Sequence, residues 1–378
     1  MKISYVTTYD AHDVRQWSGL GYHIANALEI ANSVEYIGNL KLYRNPLLLA
    51  KNMFYSKVVN RRFLADRDPK AADYYADQIA AKISHDTDVI FCPSTIPISL
   101  LEVNKPKVFY TDATFGGMVD FYDSFSNLCD ESIRNGNYIE QKALDSCSLA
   151  IFSSKWAADT ATQIYDVMEN KVKVVPFGAN LDYTIDYDTI KRNVISKTFK
   201  EINFLFIGVD WNRKGGDKAL EVVSILNEKG INSKLHIAGV SQFRDKKLPD
   251  FVIDHGFISK SNHQGRKKLN DLFFNSHFFL MPTKAEAYGL VFAEASAYGL
   301  PCISNNTGGV STIIKDDING KLFQVNENAS SYADYILELI EDRERYNQIC
   351  FNSYNEYTTR LNWESSAKNI NGLMREIF

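Results

Sequence analysis

Short apolar runs alternate with helical patterns along the whole chain. The strand predictions share Val, Ile, Phe and Tyr enrichment and cover residues 2–8, 34–38, 88–93, 107–111, 149–154, 172–178, 202–208, 233–239, 252–256, 277–282 and 301–304. Helical patterns lie at 20–31, 47–63, 70–84, 132–146, 154–165, 215–229, 263–274, 290–299 and 329–341. Such alternation is typical of parallel sheets that are covered by helices on both faces. The pattern therefore predicts an α/β protein with doubly wound sheets.

The strand–helix pattern restarts once. The runs KISYVTT at 2–8 and INFLFIG at 202–208 each begin a series with a glycine-containing loop before the next helix, and 179–200 between them is polar and poor in strands. A length of 378 residues also exceeds one ordinary domain of roughly 100–200 residues. We therefore predict two Rossmann-like domains, 1–180 and 181–360, which face across a cleft at the carboxyl ends of both sheets, where ligands bind.

Composition and charge narrow the classes of function. The formal net charge is −4, so nothing global favours a nucleic-acid partner. Five cysteines and seven histidines show neither paired nor metal-ligand spacing, so we predict no disulfide framework and no metal site. The first residues read as a strand rather than a basic and apolar leader, and no run of 18 apolar residues occurs. The expectation is a cytoplasmic protein.

In each predicted domain, a glycine-containing loop follows the first strand. Gly19 and Gly21 lie directly before a helix, where backbone N–H groups favour a phosphate, although a plain tight turn is an equally good interpretation. In the second loop, Arg213 and Lys214 precede two consecutive glycines. Adjacent cations at the carboxyl edge of a sheet can neutralise a diphosphate, and we favour this over a solvated charge pair.

The stretch KAEAYGLVFAEASAYGLP at 284–301 places two carboxylates around a helix start. Glu286 lies in the loop and Glu294 about one turn into the helix. The helix N-terminal amides belong to Tyr288, Gly289, Leu290 and Val291. Because a carboxylate can accept two hydroxyl hydrogen bonds, this pattern fits a diphosphate flanked by hydroxyl-rich rings. The less favoured alternative makes Glu286 a helix-dipole partner and Glu294 a surface residue.

These motifs together resemble the retaining nucleotide-sugar glycosyltransferases of family four, also called glycosyl transferases group 1, which have the GT-B fold. The resemblance rests on the two glutamates with the glycine between them, on GLPCISNNTGGV after them, and on five further segments, at 153–180, 213–220, 235–239, 254–259 and 362–378. It covers nearly the whole chain. It implies that the last helix returns to the first domain, which then comprises 1–180 plus 361–378.

The resemblance also implies roles for single residues. The catalytic set would be Arg213 and Lys214 on the donor diphosphate, Glu286 near the transferred sugar, and Asp112. The donor-binding positions would be Gly19, Gly21, Phe257, Ile258, Tyr288, Gly289, Leu290, Val291 and Glu294. In this set Gly19 and Gly21 close on the phosphates, Phe257 and Ile258 lie beside the nucleobase, and Glu294 holds the ribose.

Two positions depart from the family pattern. Val209 stands where many relatives have an arginine, so Arg213 would supply that charge. Asp112 stands where many relatives have a histidine that contacts the donor sugar. Three roles stay open for Asp112: binding a donor hydroxyl, orienting the acceptor hydroxyl, or capping the following turn. The D-x-D at Asp186–Asp188 falls in the predicted linker, and we do not interpret it as a metal site.

The predicted function is transfer of a hexose from a UDP- or GDP-sugar to an acceptor hydroxyl, in the synthesis of a surface glycan or glycolipid. Breaking the bond between the anomeric carbon and the phosphate builds negative charge on the diphosphate, which cations and helix-end amides stabilise. No metal or other cofactor is then required. The alternatives are a nucleotide-sugar epimerase of the same fold and a two-domain sugar-binding protein without catalysis.

The segment 41–63 bears on the acceptor. It has six Lys and Arg residues and no acidic residue, and its apolar residues Leu48, Leu49, Met53, Phe54 and Val58 recur at helical spacing. A basic amphipathic helix can lie on an anionic bilayer, which would place the protein peripherally on the inner membrane face, next to a lipid-linked acceptor. The favoured alternative is an ordinary helix whose apolar face packs on the first domain. The aromatic segment 115–128 is a second acceptor-side candidate, equally open to a core interpretation.

Overall fold

Two parallel sheets form the framework of the protein. The computed structural model describes residues 1–181, 183–240 and 248–377. The strands of the first sheet are β1 Lys2–Val6, β2 Ser33–Ile37, β3 Val89–Cys92, β4 Lys107–Thr111, β5 Leu149–Phe152 and β6 Val172–Val174. Those of the second are β7 Ile202–Ile207, β8 Ser233–Ala238, β9 Val252–Asp254, β10 Phe278–Leu280, β11 Cys302–Asn305 and β12 Gly320–Phe323.

Helices connect the strands. In the first half they are α1 Leu20–Glu29, α2 Pro46–Phe54, α3 Pro69–Ala80, α4 Phe115–Met118, α5 Asp130–Ser146 and α6 Lys155–Ile164. They continue as α7 Tyr187–Ser196, α8 Gly216–Glu228, α9 His263–Asn275, α10 Leu290–Ala297, α11 Val310–Ile313, α12 Ala329–Glu341, α13 Arg343–Thr359 and α14 Trp363–Arg375. Side-chain caps fix several starts: Asn45, Asp68 and Asn262, for example, each accept a hydrogen bond from the first turn. Among the helices of these described ranges, none is long and apolar enough to cross a membrane.

The chain divides into two compact units. Unit 1 comprises Met1–Pro176 and Trp363–Phe378, and unit 2 comprises Phe177–Asn362. The sequence analysis placed these boundaries at 180/181 and 360/361. The first boundary lies earlier because the residues after Pro176 are bonded within unit 2: Tyr288 Oη donates to Phe177 O at 2.6 Å, and Ala179 N donates to Leu361 O at 2.9 Å.

Unit 1 contains a parallel sheet in the order β2-β1-β3-β4-β5-β6. The central strands are buried on both faces, with β3, β4 and β5 carrying only buried residues, as their continuous apolar runs predict. The chain leaves β1 for β2 on one side and returns to β3 on the other, which places the topological switch point between β1 and β3. The final helix α14 packs on α1, where His23 stacks on Trp363 and Asn32 donates to Asn371 at 2.7 Å. Its predicted return to the first domain is confirmed.

Unit 2 contains a second parallel sheet, in the order β12-β11-β10-β7-β8-β9. Its switch point lies between β7 and β10, because the chain runs from β7 outward to β9 and then returns to the other side of β7. Ligands of doubly wound sheets bind outside the carboxyl ends of the strands at such a point. The predicted doubly wound class is therefore confirmed for both units.

The helix α13, Arg343–Thr359, was not predicted from the sequence, and three other elements also differ from the predictions. The short edge strand β12 was not predicted, and it pairs with β11 from Gly320 onward. The predicted linker 179–200 contains α7, which Asp186 caps by accepting from Thr189 N at 2.8 Å. The predicted helix 47–63 is shorter: α2 ends at Phe54, a π-helical turn continues to Val59, and Asn60 in a left-handed conformation ends it.

Candidate functional site

The loop after β7 presents the two predicted cations. Asp210 organises this turn, since its Oδ1 accepts from Arg213 N at 3.1 Å and its carbonyl accepts from Lys214 N at 3.0 Å. Trp211 anchors the turn on α8, where its Nε1 donates to Asp217 Oδ1 at 2.6 Å. The loop therefore fixes the backbone of Arg213 and Lys214 at the carboxyl end of the central strand, beside the switch point.

Gly215 joins this loop to the loop after β10. Its φ is +77°, which disfavours other residues, and a Cβ added there would lie 1.9 Å from Pro282 O. Glycine is thus required here both by conformation and by the close approach of a neighbouring backbone. This approach brings the predicted cations next to the predicted acidic loop.

An ion cluster forms where the two loops meet. Lys214 Nζ pairs with Glu286 Oε2, and Arg213 Nη1 lies 3.5 Å from the same oxygen and donates to Ala285 O at 2.8 Å. Arg213 Nε also lies 3.4 Å from Asp210 Oδ2. Glu286 is only 8% exposed, so both cations orient on a buried carboxylate. The structure therefore brings together three residues that the sequence predicted as one site, although 72 positions separate Lys214 from Glu286.

Asn305 at the end of β11 holds the acidic loop from behind. The side chain is 1% exposed, and its Nδ2 donates to Pro282 O at 3.0 Å and to Thr283 O at 2.9 Å. Tyr332 Oη on α12 in turn donates to Asn305 Oδ1. Sequence reasoning missed both residues as site supports. The only available signal was the position of Asn305 directly after a buried strand in GLPCISNNTGGV.

The start of α10 provides the predicted amide groups. Gly289 precedes the helix with φ +96°, and Leu290 and Val291 form its half-buried first turn. The side chain of Tyr288 points into unit 2, where burial raises the pKa of its phenol and Phe177 O accepts its hydroxyl. Tyr288 can therefore offer a ligand its backbone but not its ring. The Glu286 carbonyl accepts from Gly309 N at 3.0 Å, which links this loop to the glycine turn after β11.

Glu294 lies inside unit 2. Glu294 is 2% exposed, so the alternative interpretation of Glu294 as a surface residue does not hold. Lys260, from the loop after β9, forms an ion pair with Glu294 Oε1. The same loop carries Phe257, which is 70% exposed, and the half-buried Ile258. The sequence analysis predicted Phe257 and Ile258 as site residues but missed Lys260.

The glycine loop of unit 1 has an unusual backbone. Trp17, Ser18 and Gly19 adopt positive φ values of 44°, 54° and 83° in succession directly before α1. For residues with side chains, this conformation costs on the order of 1–3 kcal/mol each, and such strain concentrates at functional sites. Gly21 lies in the first turn of α1 rather than before the helix, as the sequence had predicted, and a Cβ there would lie 2.3 Å from Tyr9 Oη. Packing on Tyr9 therefore favours glycine at position 21 whether or not a phosphate binds.

The structure also bears on the capping role of Asp112 and on the D-x-D at Asp186–Asp188. The cap of the turn after β4 is Thr114, whose Oγ1 accepts from Gly117 N at 3.0 Å, so capping of that helical turn does not fall to the half-buried Asp112. Asp186 of the D-x-D caps α7, and its carboxylate pKa is lowered by the hydrogen bonds from Thr189. In the ranges that the structure describes, no group of three or more His, Cys, Asp or Glu side chains could hold a metal ion.

One protein-family model matches the part of the chain that carries the candidate site. Residues 188–356, which include both cations and both glutamates, match the family described as "Glycosyl transferases group 1". The match covers less than half of the chain, all of it in unit 2. Over this part, the predicted resemblance to that family is confirmed.

Curated relatives agree. The chain is 25% identical over 249 residues to a D-inositol 3-phosphate glycosyltransferase of Paenarthrobacter aurescens, covering 62% of this chain and 61% of the relative. It is 27% identical over 224 residues to an uncharacterized 41.2 kDa protein in the cps region of Klebsiella pneumoniae, covering 59% of each. The matched part thus spans about three fifths of the length of these relatives.

Solved structures share the fold over the full length. Anabaena Alr3699/HepE in complex with UDP and glucose has a TM-score of 0.66 at 14% identity and covers 99% of each chain. Sucrose-phosphate synthase from Thermosynechococcus elongatus has a TM-score of 0.71 at 14% identity, covering 100% of this chain and 99% of the other. At these identities the likeness shows the fold, and the predicted GT-B architecture of two Rossmann-like domains is confirmed.

Proposed function

We propose that the protein is a glycosyltransferase that moves a hexose from a nucleoside diphosphate sugar to an acceptor hydroxyl. The ion cluster of Arg213, Lys214 and Glu286 at the switch point of unit 2 carries this proposal. Two adjacent cations match the charge of a diphosphate, and the first turn of α10 adds N–H groups at the same edge of the sheet. The family match over this part of the chain supports the assignment.

The donor is a UDP- or GDP-sugar. Solved neighbours with this fold include complexes with UDP and with UDP-glucose, which makes uridine nucleotides the first to test. In the proposed complex, Glu294 accepts the ribose hydroxyls and Glu286 faces the transferred sugar. Phe257, exposed in the loop after β9, is available to contact the base.

The proposed chemistry follows from charge. As the bond between the anomeric carbon and the phosphate oxygen breaks, Arg213, Lys214 and the α10 amides stabilise the departing diphosphate. Glu286 lies within reach of both cations and faces the positive charge that grows on the sugar ring. These groups supply the charge that the reaction needs, so we propose transfer without a metal ion or other cofactor, with retention of anomeric configuration as the family resemblance implies.

Unit 1 supplies the acceptor side in this proposal. Gly19 and Gly21, at and directly after the strained turn of unit 1, are proposed donor-binding positions, as the family resemblance implies. Asp112, at the carboxyl end of β4, binds a donor hydroxyl or orients the acceptor hydroxyl. A curated relative named for capsular polysaccharide biosynthesis, CapM of Staphylococcus aureus, is 25% identical over 224 residues and favours a glycan or glycolipid product.

Donor hydrolysis tests the reaction class. Incubation with UDP-sugars or GDP-sugars alone should release the nucleoside diphosphate slowly, as water replaces the acceptor. Interconversion of the sugar would instead identify an epimerase, and tight binding without turnover a binding protein.

Variants test the site. Lys214→Ala and Glu286→Ala should each lower turnover at least about a hundredfold, the usual effect of losing one group that stabilises transition-state charge. Lys229→Ala, which breaks the exposed Lys229–Asp334 pair in the same unit, is the matched control. Wild-type turnover in the Lys214 or Glu286 variant would contradict the role assigned to that residue.

We also propose peripheral membrane contact through segment 41–63. The structure favours it over the packed-helix interpretation, because α2 buries only Leu48. Leu47, Leu49, Met53, Phe54 and Val58 are between 52% and 71% exposed. The helix is anchored from its other side, where Lys51 pairs with Glu131 and Tyr55 Oη donates to Glu131 at 3.1 Å.

Charge complementarity indicates the partner of this exposed face. Along the chain, Lys57 lies between Phe54 and Val58, and Lys41, Arg44, Arg61 and Arg62 lie on either side of the apolar residues in a segment without acidic residues. A basic segment with exposed apolar side chains fits the inner, anionic face of a membrane, where a lipid-linked acceptor would be found.

Liposome flotation tests this contact. The protein should float with vesicles containing anionic lipid at low salt, and less so with neutral vesicles. The double variant Leu49→Ser/Phe54→Ser should remain in solution. The control is Ile30→Ser, which changes an apolar residue directly after α1 that is 65% exposed, and this variant should float normally. Failure of the wild type to float would remove the membrane proposal and leave the transfer proposal intact.

A further inference from the structure

A lysine that the family resemblance does not assign covers the carboxylate proposed to bind ribose. The Glu294 side chain is 3% exposed, whereas the Lys260 side chain that pairs with it is 49% exposed. The two residues lie 34 positions apart, on α10 and in the loop after β9. The ammonium group therefore reaches a buried carboxylate from the solvent side, which is the side from which a ligand would approach.

The backbone at Lys260 is held by its neighbours, while its side chain is half exposed. Arg266 Nη1 donates to Lys260 O at 2.9 Å, and Asn262 caps α9 directly after it. A Cβ at Gly265 would lie 1.9 Å from Ser259 O, so the first turn of α9 also packs closely on this loop. A held backbone and a half-exposed, flexible side chain allow the ammonium to leave Glu294 without rearranging the loop.

Burial makes it costly for the Glu294 carboxylate to lose its partner. A buried carboxylate that loses its cation without replacement is strongly destabilising. A vicinal diol is a suitable replacement, because its two hydroxyl groups donate two hydrogen bonds to one carboxylate. The lysine and a ribose therefore compete for the same oxygens.

We propose that Lys260 is a specificity-determining residue that the ribose of a nucleotide displaces from Glu294. This inference rests on the proposed function and adds a residue to it. Lys260 weakens the binding of every nucleotide by the strength of its pair with Glu294, and it restricts productive binding to ligands that satisfy the carboxylate in its place. Ligands that reach only the Arg213–Lys214 cations do not sense Lys260.

The test compares two probes in two variants. Lys260→Met keeps the aliphatic part of the side chain and removes the charge, and Lys229→Met, at a pair with Asp334 that is exposed on both sides, is the matched control. Isothermal titration with UDP and GDP and with inorganic pyrophosphate measures the affinities. We expect the nucleotide that the wild type prefers to bind Lys260→Met about five- to tenfold more tightly, with pyrophosphate unchanged and the control variant equal to wild type.

Other results overturn the inference. Weaker nucleotide binding in Lys260→Met would show that the lysine itself is a ligand of the nucleotide, and parallel weakening of pyrophosphate would identify it as a phosphate contact. Unchanged nucleotide affinity would show that the pair does not compete. If Lys260→Met does not fold, Lys260→Gln replaces it with a neutral side chain that can hydrogen-bond Glu294. A wild-type protein that binds neither UDP nor GDP contradicts the proposed function itself, which distinguishes the two failures.

Discussion

Replacing Asn305 by leucine tests whether the support behind the acidic loop determines the stability of unit 2. The amide of Asn305 satisfies two carbonyls of the loop after β10, at 3.0 and 2.9 Å, and accepts the hydroxyl of Tyr332. Leucine is similar in size but has no polar atom. Asn305→Leu therefore leaves Pro282 O, Thr283 O and the Tyr332 hydroxyl without these partners in a site where Asn305 is 1% exposed.

The expected loss follows from these three groups. A buried polar group that loses its partner costs about 1–3 kcal/mol, so the three together cost about 3–9 kcal/mol. Burial of the leucine side chain recovers roughly 1.5–3 kcal/mol. With central values of about 2 kcal/mol for each polar group and about 2 kcal/mol for the leucine, we expect a net loss of about 4 kcal/mol in the free energy of unfolding. For a unit of this size, each kcal/mol lowers the melting temperature by about 2–4 °C, so the transition of unit 2 should shift by about 10 °C.

Calorimetry and urea unfolding measure this loss, with Tyr332→Phe as the matched variant. Phenylalanine keeps the ring but removes the hydroxyl, which leaves only Asn305 Oδ1 without its donor and should cost about 1–3 kcal/mol. Asn305→Leu should therefore be clearly less stable than Tyr332→Phe. The reasoning is refuted if Asn305→Leu loses less than about 1 kcal/mol, or no more than Tyr332→Phe.

Two further predictions concern stability. Gly215→Ala combines a φ of +77° with a Cβ 1.9 Å from Pro282 O, so it should lower the free energy of unfolding by at least about 3 kcal/mol. Gly230 has a similar φ of +85°, but a Cβ there would contact nothing within 4 Å, so Gly230→Ala should lower it by only about 1 kcal/mol. Urea unfolding compares the two variants. Burial chiefly lowers the pKa of His277 to about 4, below its unfolded value near 6.5. Protons therefore bind the unfolded chain first, and stability should fall by about 3 kcal/mol from pH 6.5 to 4. In His277→Gln, the free energy of unfolding, measured by urea titration at each pH, should change less between pH 6.5 and 4.

Much of the framework could be predicted because its strands are continuous apolar runs. β3, β4 and β5 lie within or at the predicted ranges, since a parallel strand covered on both faces has few polar positions to blur its ends. The edge strand β12, GKLF, has no such run and was missed. The helix α7 was missed because only Ile190 and Val194 of its ten residues are buried, which leaves a weak apolar period in a polar stretch.

The candidate site could be predicted in part for a similar reason. Glycines and helix-start motifs are local signals, so Gly215, Gly289 and the two glutamates could be found from the sequence. Lys260 and Asn305 could not, since one lysine or one asparagine carries no period, and their roles depend on contacts 34 and 23 positions away. For α2 the sequence favoured a packed apolar face, because most surface helices are amphipathic and their spacing does not say whether the apolar side is covered.

Strand order explains why the ion cluster is where it is. Lys214 and Glu286 meet because β7 and β10 are neighbours, and they are neighbours because the chain adds β8 and β9 on one side before it returns. The loops after β7 and β10 meet at that point, where ligands of doubly wound sheets bind, and both strands hold the charged groups in place. By the same reasoning, the loops after β1 and β3 are the ones to probe in unit 1. The first is the strained turn at Trp17–Gly19, and the second carries Thr95, whose hydroxyl donates to the buried Glu140 at 2.8 Å. Substitutions in these two loops should therefore affect ligand binding more than equally exposed substitutions at the amino ends of the same strands.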